Sequence, residues 1–195
     1  MKKIFSRGFA GILLISLSIL LSGCFGSSVV SSGPPSGYHT YGIEDISLSI
    51  PDEWEIITPA DFSSGVPAQT AIAFRSNLKN PIFTANVTIA KSPVTPNTLT
   101  LDYAKSLKHR IETSLVSYSD AGTEAAALSA GGAPIDTLMI KSQGSERVQG
   151  DLKYFIHIPV IRNNIAYTIV GTTLANADDA EKSRIEIIAK SFAVK

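Results

Sequence analysis

The sequence is poor in the residues that carry most recognisable chemistry. It holds one cysteine, one tryptophan, two methionines and three histidines in 195 residues, and only 17% of it is charged. His39, His109 and His157 have no metal-ligand spacing between them. Long apolar runs are missing too. The run from Phe9 to Leu21 is 13 residues and is interrupted by Gly11, Ser16 and Ser18, whereas a membrane-spanning helix needs roughly 20. There is no Gly-x-Ser-x-Gly elbow, no phosphate-binding glycine loop and no EF-hand loop. Ser76-Asn77-Leu78-Lys79 spells Ser-x-x-Lys, but it falls in a turn and lacks the companion Ser-Asp-Asn and Lys-Thr-Gly elements. Metal, phosphate-loop and serine-elbow chemistry therefore have no support in the sequence, and no catalytic or metal-ligating residue is assigned.

What is present begins at the N-terminus. Lys2, Lys3 and Arg7 precede the short apolar run, which closes on Leu21-Ser22-Gly23-Cys24. A basic start, a short apolar middle and small residues before a cut site describe a secretory signal peptide, residues 1–23. Leu21, Ser22, Gly23 and Cys24 together resemble the lipobox of bacterial lipoproteins. That resemblance implies a diacylglyceryl thioether and palmitate on Cys24, which becomes the first residue of the mature chain. It implies anchoring at the cell membrane or the outer membrane, facing the periplasm or the exterior. Each buried methylene adds about 0.8 kcal/mol, so one acyl chain binds marginally and two or three hold durably. Acylation would consume the only thiol, excluding disulfide, zinc–cysteine and thiol-nucleophile chemistry.

The 172 residues after residue 23 suggest one domain. A chain of that size buries about 70% of its unfolded surface, enough for a real core. Without Lys2, Lys3 and Arg7, 14 basic residues face 17 acidic ones, a net charge of −3. That argues against nucleic acid or an anionic lipid surface as an electrostatic partner.

Residues 24–40 carry the cysteine and a Ser/Gly/Pro-rich stretch that reads as a flexible tether, with a reach on the order of 20–25 Å. Folded structure is expected over 41–195. Ile46, Leu48 and Ile50 alternate with serines, the period of a half-buried strand. Pro51-Asp52-Glu53 turns the chain into Trp54, which should pack over the sheet end, with ligand stacking as the alternative. Phe83, Ala85, Val87 and Ile89 alternate with Thr84, Asn86 and Thr88, giving a clean strand. Thr98 or Thr100 should cap a helix whose stripe is Ala104, Leu107, Ile111 and Leu115. Glu124 to Ala130 is weakly patterned, and Ile135 to Ser142 reads as a strand. Val148–Ile161 and Ile165–Leu174 flank Arg162-Asn163-Asn164, a hairpin turn. Both faces of this hairpin are apolar, so it should be central and covered on both sides. His157 is expected to be held by hydrogen bonds, or to reach a pocket. Asn176 should cap a last helix that turns Ile185, Ile188 and Phe192 to the sheet. Asp52, Glu53 and Glu55 form an acidic turn that could hold calcium only weakly.

Tyr41-Gly42-Ile43 leading to Ser49-Ile50-Pro51-Asp52-Glu53-Trp54 resembles the opening of PsbP-like domains. The later order is similar: a crossover helix, a Gly-x-Pro segment entering a strand, a long hairpin with a Tyr on its second arm, and a helix ending in Ser-Phe. The resemblance spans about Tyr41 to Val194. It implies the Mog1/PsbP-like fold, an α+β arrangement with an antiparallel β-sheet and helices packed on both faces, an α/β/α sandwich. It also implies a non-catalytic, cofactor-free accessory or docking module with an envelope protein partner and no nucleic acid. Two alternatives stand beside it: a carrier of a small apolar ligand, and an envelope hydrolase pairing a serine with His157. Trp54 and His157 are the candidate contact residues.

Overall fold

The computed structural model describes residues 33–195. Leu21, Ser22, Gly23 and Cys24 lie outside the described residues. The architecture is one curled, ten-stranded mixed sheet with two helices. Its strands are β1 (Tyr38–Ile43), β2 (Ile46–Pro51), β3 (Glu55–Ile57), β4 (Thr70–Arg75), β5 (Asn86–Pro93), β6 (Val116–Ala130), β7 (Ala133–Ser145), β8 (Lys153–Arg162), β9 (Ile165–Leu174) and β10 (Ala193–Val194). The helices are α1 (Thr100–Ser114) and α2 (Asp179–Lys190). The order across the sheet is β1-β2-β10-β6-β7-β8-β9-β5-β4-β3. The pairing is antiparallel except where β10 runs parallel to β6, which corrects the expectation of a purely antiparallel sheet. The reason is the chain's return: α2 brings the C-terminus back into the gap between β2 and β6.

The β8–β9 hairpin forms as the sequence predicts. Asn163 and Asn164 take φ of 52° and 59°, the left-handed pair a two-residue turn requires, and Arg162 pairs with Ile165. The two faces of β8 then part company. Ile156, Ile158 and Val160 are each 0% exposed and join one aliphatic core with Leu48, Ile50, Phe74, Val87, Ile169 and the α2 residues Ile185 and Ile188. Gly171 pairs with Ile156 on this face, and its missing side chain makes room for Ile185, whose Cβ lies 3.1 Å from where a Gly171 Cβ would sit.

Curling brings the β1–β2 hairpin over β4, β5 and β9. Tyr41 meets Phe74 edge to face at 5.4 Å. Lys91 reaches Glu44 at 2.9 Å and Asp45 at 3.0 Å, and the Tyr167 hydroxyl donates to Asp45. Burial would raise the Asp45 pKa, but the Tyr167 and Lys91 hydrogen bonds outweigh it and lower it. The same environment pushes Tyr167 up to about 12, chiefly through burial.

Several local expectations are corrected. The fold starts at Tyr38 rather than Tyr41, so His39 sits on a strand, 3.0 Å from Asp52. Neither Thr98 nor Thr100 caps α1: its N-cap is Leu99, without a side-chain bond, and Thr100 Oγ1 accepts from the Ile161 N–H at 3.2 Å instead. Asp178, not Asn176, caps α2 by accepting from the Glu181 N–H at 2.7 Å. The weakly patterned Glu124–Ala130 is the second half of β6, a strand of 15 residues. Val148 lies in a loop, and β8 begins only at Lys153.

Candidate functional site

The other face of β8 carries Phe155 and His157, and there the sheet is not filled. A groove of about 1290 Å³ lies over β8, β9 and β5. Alternation builds it: β5 turns Val87 and Ile89 to the core, so Thr88 must face the groove, and β9 turns Tyr167 and Ile169 to the core, so Thr168 and Thr172 must face it. One wall is the α1 stripe, with Leu107, Ile111 and Leu115. The facing rim is the loop before β4, including Val66. The result is a hydroxyl-bearing floor between an apolar helix wall and a largely polar loop rim with Ser63, Ser64 and Gln69, and Glu146, Arg147 and Lys153 add charge to the lining.

His157 lines this floor beside Phe155, with ring centroids 6.0 Å apart. Its Nδ1 is sealed and has no hydrogen-bond partner. Burial alone depresses the ring's pKa to about 4, so the imidazole is neutral near pH 7. Ser142, opposite Phe155 on β7, is 0% exposed, and its Oγ is likewise without a partner. The expectation that hydrogen bonds hold His157 is thus not met at Nδ1. The reason is register: the residue across from His157 is Ile140, which offers only a side chain of hydrocarbon. A hydrolase would need a carboxylate or serine bonded to this ring, and Nδ1 has neither.

Trp54 is the second candidate contact. It is 5% exposed and packs into the core, with Nε1 unpartnered. Its indole is therefore not presented to the groove, and the structure does not bring Trp54 and His157 together: one belongs to the core, the other to the groove floor. The acidic turn beside it is dispersed: Asp52 meets His39 at 3.0 Å and Glu55 meets Arg75 at 2.6 Å. Among the described residues no group of three His, Cys, Asp or Glu side chains is placed to hold a metal ion. Among the described residues no helix is long and apolar enough to cross a membrane.

The groove's hydroxyl floor was missed in sequence because Thr88 and Thr168 look like the solvent face of half-buried strands. The available sign was Phe155 and His157 on the strand between them, which makes that face partly buried.

No family model matches the chain, and no curated protein matches it by sequence. Solved structures do. The solution structure of the cyanobacterial PsbP protein CyanoP from Synechocystis sp. PCC 6803 is similar with a TM-score of 0.52 at 16% identity, covering 90% of this chain and 99% of that one. The crystal structure of LpqN, involved in cell envelope biogenesis of Mycobacterium tuberculosis, is similar with a TM-score of 0.54 at 14% identity, covering 81% of this chain and 90% of that one. The fold is PsbP-like.

Proposed function

We propose that the chain is a lipid-anchored, non-catalytic accessory module of the cell envelope that holds a protein partner. Leu21-Ser22-Gly23-Cys24, placed after a basic start and a 13-residue apolar run, carries this reading. The PsbP-like fold and the likeness to an envelope-biogenesis protein support it. So does the state of His157, whose unpartnered Nδ1 and depressed pKa leave it unsuited to general-base work. Cys24 would carry the lipid at the cell membrane or outer membrane, with the domain facing the periplasm or the exterior. The two helices read as covers on opposite faces of the sheet, an α/β/α sandwich. Strand parity supports this, since Ile185 of α2 meets the Gly171 side and Leu115, just after α1, meets the Gly144 side. Crosslinking in intact cells followed by pull-down tests the partner: one repeatable envelope protein is expected, and recovery of none counts against the reading.

The groove favours a second reading, carriage of a small, largely apolar ligand. Its volume of about 1290 Å³ and mixed lining suit a molecule with a hydrocarbon body and a few hydrogen-bonding groups. Native mass spectrometry of the protein should then show bound mass, and an empty protein would remove this reading.

A further inference from the structure

Exposed aliphatic side chains are concentrated at one end of the sheet. Val148 is 76% exposed, Ile82 62%, Leu78 60% and Leu152 50%. All four stand on two neighbouring loops, 76–85 between β4 and β5 and 146–152 between β7 and β8. The loops flank a cleft of about 330 Å³, and Lys153 reaches from one to the other, its Nζ 4.4 Å above the Phe83 ring. Singly exposed apolar residues are ordinary, but four on two neighbouring loops mark a surface suited to meet something apolar.

The loops are built, not slack. Asn80 Oδ1 accepts from the Ile82 N–H at 2.8 Å and the Phe83 N–H at 3.4 Å. Ser145 Oγ donates to the Arg147 carbonyl at 2.7 Å, and the Gly150 N–H closes on the same carbonyl at 3.1 Å. Gln149 is left-handed, with φ of 59°. These bonds hold Ile82 and Val148 out from the fold. Among the described residues Lys79 and Arg147 form no ion pair within 4 Å, although Lys79 stands near enough to Glu55 to help Arg75 lower its pKa, and both cations lie on the loops that carry the apolar tips.

Strand register places the chain's entry at this same end. Arg75 pairs with Asn86, Asn86 with Thr172, Lys153 with Leu174, and Val116 with Ser145. Ile46 pairs with Val194 beside Ala130 at the other end, so β2 runs toward this end and finishes at Pro51, the partner of Tyr38, the first residue of β1; four residues on, Glu55 pairs with Arg75 at this end. Cys24 lies fourteen residues before Tyr38 in sequence, a span of roughly 20 Å if flexible.

We infer that these two loops form a membrane-contacting edge: Leu78, Ile82, Val148 and Leu152 enter the interfacial layer of a phospholipid bilayer while Lys79 and Arg147 meet its phosphates. The inference rests on the reading of Cys24 as the anchor, which brings a bilayer to this end of the domain. Apolar tips with a cation on each loop suit that interface. The chain's net acidity is no obstacle, because the two loops carry Lys79 and Arg147 against Glu146 and Asp151, no net charge between them, and the contact is apolar rather than Coulombic.

The test uses the full chain produced without acylation and coupled through Cys24, its sole cysteine, to a maleimide-bearing lipid. The vesicles are phosphatidylethanolamine with a minority of phosphatidylglycerol. Coupling supplies the tether whether or not cells acylate Cys24, so failure here and failure of the anchor reading are separate results. Hydrogen exchange of 77–83 and 147–152 should slow by about tenfold or more relative to the free chain, while 94–99, around the exposed Leu99 at the opposite end, stays unchanged. The double variant Ile82→Asp/Val148→Asp should lose that protection at an unaltered melting temperature. Loops that exchange at the free-chain rate while tethered, or equal protection at 94–99, would overturn the inference.

Discussion

The two faces of β8 are one residue apart in sequence and opposite in character. Ile156, Ile158 and Val160 enter a sealed aliphatic core, whereas Phe155 and His157 floor an open groove in which sealed polar atoms go unpaired. The first face holds the fold and has no spare chemistry. The second gives up packing, and even hydrogen bonds, to keep a shaped surface. A buried polar group without a partner costs about 1–3 kcal/mol; His157 Nδ1 and Ser142 Oγ concede that on the groove side of the sheet, and Trp54 Nε1 concedes it once in the core.

That contrast can be broken most forcefully at Ile158, which is 0% exposed. Ile158→Ala should cost about 2–5 kcal/mol in urea unfolding; a loss below about 1 kcal/mol would mean the core face is not the stabilising one. On the groove face the expected effect depends on pH. Folding depresses His157 from its ordinary 6.5 to about 4 through burial. The unfolded chain therefore takes up the proton first, so stability is full above about pH 6.5 and drains as pH falls toward 4. The loss between about pH 7 and pH 5 should be on the order of 2 kcal/mol. His157→Phe should flatten the curve in that window, and an unchanged curve would contradict the depressed pKa of this ring.

Gly171→Ala sharpens the comparison from the core side. Its methyl group would lie 3.1 Å from the Ile185 Cβ, and α2 should be pushed off at a cost of about 1–2 kcal/mol. Stabilisation instead would show slack between β9 and α2. Tyr167→Phe removes the bond to Asp45 that ties the β1–β2 hairpin to β9. It should cost about 1 kcal/mol, and it should weaken the acid sensitivity of folding as Asp45 loses a partner that lowers its pKa. The smallest effect belongs far from both faces. Lys105 and Asp102 sit 3.7 Å apart at 71% and 66% exposure, so Lys105→Ala should stay within about 0.5 kcal/mol.

Legibility in the sequence followed how local each feature is. The Asn163-Asn164 turn was readable because the two asparagines themselves carry the left-handed angles. The alternation in β2, β5 and β8 was readable because period two survives in a single strand. The first half-turn of α1 was not, because Thr100 is diverted to a β8 amide 61 residues away. Nor was β6, whose Glu124-Ala125-Ala126-Ala127 lacks strand-forming side chains. Its extended form is imposed from outside by the pairing of Glu124 with Met139 and Ala126 with Thr137. The groove was least legible of all. Thr88, His157 and Thr168 each follow an ordinary alternation, and only the sheet order β8-β9-β5 places them on one floor. Of the two candidate contact residues, His157 reaches that floor and Trp54 is committed to the core. The likeness to PsbP-like domains was carried by the strand-to-Trp54 opening, and it anticipated the fold better than any single element did.

The thioether proposed at Cys24 is the central claim, and metabolic labelling with palmitate tests it directly. The wild-type protein should carry label and sediment with membranes, shortened by residues 1–23, and Cys24→Ser should abolish both the label and the cleavage. An unlabelled protein in the aqueous fraction, still bearing its first residues, would contradict it.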